Sequence, residues 1–164
     1  MSVSVIAYLG LGSNLGDREN NLRKAIKLLS RKMVVEKVSS IYESDPISYL
    51  EQGPFLNAVC EVSVEQNPLE LLSEVKYIES VLGRIPSFPN SPRPIDVDIL
   101  LYDNIVMNSQ GLTIPHPRLE QRAFVVIPLI EIAPNVVHPI SGQRMGEIGK
   151  RICLRGIRHW SERN

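Results

Sequence analysis

The chain has 164 residues, 43% of them hydrophobic and 22% charged, which suits one domain with a sizeable core and a solvated surface. Its 18 Lys and Arg balance 18 Asp and Glu, and this net charge of +0 excludes nucleic-acid binding through a general cationic excess while leaving room for a local anion site. Two cysteines, Cys60 and Cys153, are too few for a disulfide framework. The apolar stretch 124–133 is about half the length a bilayer requires and contains Pro128 and Glu131. Residues 1–4 lack the basic region of a signal peptide. The expectation is a single cytoplasmic domain with no membrane partner.

Residues 3–11 are rich in aliphatic and β-branched side chains and end at Gly12-Ser13-Asn14, which predicts a first strand. Over 17–32 the period changes: Leu22, Ala25, Ile26 and Leu29 fall at helical spacing, with Asp17 as N-cap. Residues 34–44 read as a second strand. Residues 55–65 alternate most clearly, with Leu56, Ala58, Cys60, Val62 and Val64 on one face. Asn67-Pro68-Leu69-Glu70 is a helix start with a capping residue, a proline at the first position and a glutamate that reaches back; Gly83 stops that helix. Residues 95–103 form another strand closed by a turn at Asp103-Asn104. A helix over 121–133, interrupted near Pro128, and a short helix over 142–152 follow. The tail from about 155 to 164 is expected to be loose. The order strand, helix, strand, strand, helix, strand predicts an α+β, ferredoxin-like sandwich with a mainly antiparallel sheet, spanning 1–164 as one domain.

Three segments are poorly suited to packing alone. In Ile95-Asp96-Val97-Asp98-Ile99-Leu100-Leu101-Tyr102, alternation sets Asp96, Asp98, Leu100 and Tyr102 on one face and Ile95, Val97, Ile99 and Leu101 on the other. The two carboxylates then stand about 7 Å apart along the strand. Like charges on an apolar element repel and resist desolvation, and a divalent cation removes both penalties; hard oxygen donors select Mg²⁺ over zinc. Two hydrated acids at a strand end are the competing reading. The second segment, residues 84–94, is proline-stiffened with Arg84 and Arg93 at its ends, an arrangement that suits phosphate, or a simple salt bridge from Arg93 to the acids. The third is Leu112-Thr113-Ile114-Pro115-His116-Pro117 with Arg122 and Phe124 beyond it. Asn57, beside Phe55, suits recognition of a flat hydrogen-bonding heterocycle. Gly10, Gly12 and Gly16 lack the Lys-Ser/Thr ending of a phosphate-binding P-loop and read as a tight turn.

In combination these segments resemble the 6-hydroxymethyl-7,8-dihydropterin pyrophosphokinases of folate biosynthesis. The resemblance covers nearly the whole chain, from Ala7 to Asp17, through Phe55-Leu56-Asn57-Ala58, Ile78-Glu79 and Gly83-Arg84, to Pro92-Arg93-Pro94-Ile95-Asp96-Val97-Asp98, Leu112 to Pro117, Arg122-Ala123-Phe124 and Pro128 to Pro134. It implies a ferredoxin-like fold and transfer of the β,γ-diphosphate of ATP to the pterin hydroxymethyl group, releasing AMP. It implies that Asp96 and Asp98 hold two Mg²⁺ ions, with Asp96 also near the pterin hydroxyl. Ser44, Pro46, Ile47, Phe55, Asn57 and Phe124 match pterin-site positions. Glu79, Arg84, Arg93, Ile99, Thr113, His116 and Arg122 match ATP-site positions, and Arg84 and Arg93 match arginines that close on the phosphates in catalysis. A monomer acting on two small molecules, with no nucleic-acid partner, is the corresponding expectation. Asn90-Ser91 stand where many members carry Trp-Gly, Gly111 where some carry arginine, and Lys76 where some carry glutamine. A non-catalytic binding module on the same fold, or a kinase that moves only the γ-phosphate, are the competing functions.

Overall fold

The computed structural model describes residues 3–46, 51–84, 88, 91–109 and 111–160. β1 (Val5–Ser13) leads through a turn to α1 (Arg18–Leu29), whose N-cap Asp17 accepts the Asn20 N–H. β2 (Val34–Val38), β3 (Tyr42–Ser44) and β4 (Phe55–Val64) follow, then α2 (Pro68–Val81) and β5 (Asp96–Tyr102). At the start of α2 both halves of the capping box form, each 2.9 Å long between Asn67 and Glu70. β6 (Met107–Ser109) and β7 (Leu112–Ile114) make a separate hairpin, and α3 (Ala123–Ile132), α4 (Met145–Gly149) and β8 (Ile157–His159) complete the chain.

The six-stranded sheet runs β5-β1-β4-β3-β8, with β2 also paired to β4, and its pairings are antiparallel. α1 and α2 cover one face. Ala7, Leu9 and Leu11 of β1 meet Leu22, Ala25, Leu71, Val75 and Ile78 there. A second core, with Tyr8, Val59, Leu100, Val126, Leu129, Met145 and Ile148, joins the other face to α3 and α4. The expected ferredoxin-like sandwich is present, and the third layer covers only part of its second face.

Four local expectations change. The single strand over 34–44 is two strands, because Ser39 enters the ladder: its hydroxyl accepts the Val59 N–H and its own N–H donates to the Val59 carbonyl, each at 2.9 Å. Val38 opposes Cys60 while Tyr42 opposes Asn57, so one strand uses an extra residue and bulges. A second bulge lies in β5, where Leu9 opposes Ile99 but Tyr8 opposes Leu101. It breaks strict alternation, sending Leu101 to the α3 side and Tyr102 to the α1–α2 side, the reverse of the expected faces. α3 runs through Pro128 without interruption, since Val125, Val126, Pro128 and Leu129 are all buried and their packing outweighs the roughly 3 kcal/mol an internal proline costs. Finally, the tail expected to be loose from about 155 pairs with β3 over Ile157–His159; 161–164 lie outside the described residues.

Leu9 is fully buried at the centre of the sheet. Leu9→Ala is expected to lower stability by about 2–5 kcal/mol, read from the urea midpoint at unchanged m-value.

Candidate active site

The site arises where side chains are missing from the sheet. Across the β5–β1–β4 ladder, Asp98 pairs with Gly10 and Gly10 with Val59; Asp96 pairs with Gly12 and Gly12 with Asn57. Gly12 therefore leaves a gap between a carboxylate and an amide. A Cβ at Gly12 would lie 3.5 Å from both Asn57 Oδ1 and Phe55 Cδ1, and one at Gly10 would lie 3.3 Å from Leu100 Cδ2. Gly16, with φ 75°, does serve the turn into α1, but Gly10 and Gly12, also read in sequence as turn residues, are instead the floor of a cleft open to solvent and lined by Ser44, Phe55, Asn57, Arg93, Asp96, Asp98, Arg122 and Phe124.

Asn57 is buried and oriented. Its amide nitrogen donates to Ser44 Oγ at 2.7 Å and to the Tyr42 carbonyl at 3.3 Å, which turns Oδ1 toward the cleft as an acceptor. Phe55 and Phe124 each carry a guanidinium, that of Arg93 at 5.1 Å and that of Arg122 at 5.4 Å from the ring centroid. Asp45 and Gln52 also line this cleft. Pro46 does not, among the described residues, and Ile47 lies outside them.

The charges are tightly shared. Arg84 Nη1 donates to Asp96 Oδ1 at 2.6 Å and to Glu79 Oε2 at 2.9 Å. Glu79 is buried and also accepts the Val97 N–H at 2.8 Å, with Lys76 Nζ 3.4 Å from its other oxygen. Arg93 lies 3.7 Å from Asp96 Oδ2, and its Nε is buried without a partner. Asn14 holds the Arg93 backbone from both sides, accepting its N–H at 2.8 Å and donating to its carbonyl at 3.2 Å. Burial works against the Arg84 charge, yet Asp96 and Glu79 outweigh it and hold its pKa above the ordinary value. Asp98 lacks such a close cation: burial and the Asp96 charge push its carboxyl up to about 7, against a partial offset from Arg122.

A second cleft adjoins the first, with Asp98 common to both. It is lined by Lys76, Ile99, Asn108, Ser109, Gly111, Thr113, His116 and Pro117. His116 is anchored by its N–H to the Leu100 carbonyl, and its Nδ1 accepts the Arg118 N–H at 3.2 Å. That bond leaves the ring proton of the neutral form on Nε2; burial and the Arg122 charge lower its pKa and favour that form. Ser109 Oγ is buried without a partner on the same cleft.

The sequence matches the family model for 7,8-dihydro-6-hydroxymethylpterin-pyrophosphokinase over residues 8–134. The chain belongs to this family. It is therefore a pyrophosphokinase of folate synthesis. It is 48% identical over 133 residues to the 2-amino-4-hydroxy-6-hydroxymethyldihydropteridine pyrophosphokinase of Aquifex aeolicus, covering 81% of this chain and 83% of that one. It is 43% identical over 149 residues to the Bacillus subtilis enzyme of the same name, covering 90% and 89%. Against the folic acid synthesis protein FOL1 of Dictyostelium discoideum it is 43% identical over 134 residues, but spans 20% of that longer protein and 82% of its own length. The fold is similar to wild-type HPPK-DHPS of Plasmodium falciparum crystallised with pterin and p-hydroxybenzoate, with TM-score 0.74 at 18% identity over 92% of this chain and 43% of that one.

Within this pyrophosphokinase the expected residues converge: Ser44, Phe55, Asn57, Asp96 and Phe124 on the first cleft, Ile99, Thr113 and His116 on the second, and Asp98 on both, with Glu79 and Arg84 beneath the acids. Arg93 and Arg122 line the first cleft, although the resemblance assigns them to ATP. Sequence reasoning missed Asn14, Asp45, Gln52 and Ser109; only Asn14 stands in a matched motif. The positions 85–87, 89 and 90, including the departure at Asn90, lie outside the described residues.

Folding raises the proton affinity of Asp98, so its contribution to stability is complete below its ordinary value of 3.8 and is lost as pH rises through about 7. In divalent-free buffer Asp98→Asn is expected to melt above wild type at about pH 8 and to approach it near pH 4.5. Parallel melting curves at both pH values would show that the charge is not destabilising.

Proposed function

We propose that the chain transfers the β,γ-diphosphate of ATP to 6-hydroxymethyl-7,8-dihydropterin and releases AMP, with the heterocycle over Gly12 and the nucleotide in the cleft beside Thr113 and His116. One observation carries this arrangement: the two clefts share Asp98, with Asp96 beside it on the first. A hydroxymethyl group in one cleft and a polyphosphate in the other would meet at the acids.

The pterin amide face offers donors, and Asn57 Oδ1 accepts them; Phe55 and Phe124 supply apolar surface for the ring. The hydroxymethyl oxygen attacks the β-phosphorus and releases its proton to solvent, the bond from that phosphorus to the α,β-bridging oxygen breaks, and AMP departs with that oxygen's electron pair. Such a transfer needs in-line positioning and charge neutralisation more than covalent help from the protein. Arg84, Arg93 and Arg122 supply cationic charge around the acids. His116 in its neutral form presents the Nε2 proton to a nucleotide oxygen.

The acids fit Mg²⁺. They are two hard oxygen donors side by side, and the raised pKa of Asp98 marks negative charge that the protein leaves poorly neutralised. Among the described residues no group of three or more His, Cys, Asp or Glu side chains is poised for a metal, which suits an ion completed by phosphate oxygens and water. Asp96 and Asp98 would hold two such ions, which when bound neutralise the polyphosphate and polarise the reacting phosphorus. The working unit in this reading is a cytoplasmic monomer acting on small molecules. Both cysteines are free, and no described helix is long and apolar enough to cross a membrane.

Incubated with Mg²⁺, ATP and 6-hydroxymethyl-7,8-dihydropterin, the protein is expected to form AMP; ADP as the product, or no turnover, would overturn the reading. Asp96→Asn and Asp98→Asn should each cut kcat by about 10²–10³-fold while circular dichroism stays native. Gly12→Val should fill the space between Phe55 and Asn57 and abolish pterin binding, with nucleotide affinity retained.

A further inference from the structure

The amide nitrogen of Asn57 has both its close partners, Ser44 Oγ and the Tyr42 carbonyl, on β3. That strand has three residues. It is held by β4 on one side and by β8, at the C-terminal end, on the other, where Tyr42, Glu43 and Ser44 oppose His159, Arg158 and Ile157. Immediately beyond, the Asp45 N–H donates to the Gly156 carbonyl at 2.9 Å.

A charge network reinforces the same edge. Glu43 receives Arg18 on Oε2 and Arg158 Nε on Oε1, each at 2.8 Å, and Arg158 Nη1 reaches Asp45 Oδ1 at 3.1 Å. Arg18 Nη1 also donates to the Pro54 carbonyl at 2.9 Å, so one guanidinium ties the two banks of the segment between β3 and β4. Trp160 lies against Arg18, 5.2 Å from centroid to guanidinium, and donates to Glu19 at 2.9 Å. Asp45 and Gln52 from that segment, with Ser44 and Phe55 at its ends, line the first cleft.

We propose that Arg158, through Glu43 and Asp45 and together with Arg18, is a positioning residue that holds the Ser44–Asp45 edge of the cleft in register for the heterocycle. The inference rests on the reading of that cleft as the pterin site. Arg158 is half-exposed, and ion pairs so placed contribute little to global stability. Their effect belongs to the geometry of a short strand whose Ser44 hydroxyl and Tyr42 carbonyl orient Asn57. An ordinary edge-closing salt bridge would leave both substrates' affinities alone.

The test is fluorescence titration of full-length protein with 6-hydroxymethylpterin, in Mg²⁺ and a non-hydrolysable ATP analogue, with the analogue's own affinity measured separately. Arg158→Ala is expected to weaken pterin binding by about three- to tenfold, with nucleotide affinity within about twofold and little change in melting temperature. Arg158→Lys should recover part of the loss, since a point charge can serve Glu43 or Asp45 but not both in the fork geometry. Should Arg158→Ala fail to fold, Glu43→Gln, which keeps the shape and removes the charge, should show the same split. Equal pterin affinity in variant and wild type, or parallel weakening of both ligands, overturns the proposal. Wild-type protein that binds no pterin overturns the functional reading itself, and this inference with it.

Discussion

Two carboxylates on successive outward positions of β5 repel one another, and the rest of the site is organised around that repulsion. Their strand cannot yield: Ile95, Val97 and Ile99 are anchored under α1 and α2, and Leu100 and Leu101 under α3. The neighbouring strand offers Gly10 and Gly12 in register, so no side chain covers the acids from that side. Asp96 is compensated by Arg84 and Arg93, whereas Asp98 is left with the more distant Arg122 and an elevated proton affinity. Stored electrostatic cost at one carboxylate is what makes the pair receptive to a cation.

The arginines are correspondingly shared. Arg84 divides itself between Asp96 and the buried Glu79. Glu79 keeps Lys76 and the Val97 N–H as further partners, so it would not be stranded if a polyphosphate drew Arg84 away. Arg93 is fixed at its backbone by Asn14 while its guanidinium lies over Phe55 with an unpartnered Nε. Backbone anchoring with an incompletely paired head group suits a residue that must meet an anionic ligand.

Much of this is legible in the amino-acid sequence alone. The alternation over β4, the capping box of α2 and the paired acids of β5 are local patterns, and local patterns follow from side-chain periodicity and backbone chemistry. The ferredoxin-like order followed from those elements. The β-bulges did not, because Ser39 enters the ladder only when Val59 is opposite it, and the extra residue at Leu100 is defined only by its register against β1. β8 escaped notice because a short polar segment carries little propensity of its own; its partner β3 lies more than a hundred residues upstream. α3 continued through Pro128 because burial of Val125, Val126, Pro128 and Leu129 outweighed a local rule.

Asp96, Asp98 and Asn57 announced themselves as residue types out of place in a packed strand, since charge and amide chemistry on an apolar element is a signal in one dimension. The sequence by itself determined the order of the main elements β1, α1, β4, α2 and β5, the acid pair and the family. Only the tertiary structure decided that Gly10 and Gly12 are a cleft floor, that Asn57 points its oxygen into that cleft, and that the C-terminal segment braces β3. Each of those depends on which strand lies beside which and at what register, and antiparallel register is a property of two distant segments in contact, not of either one alone.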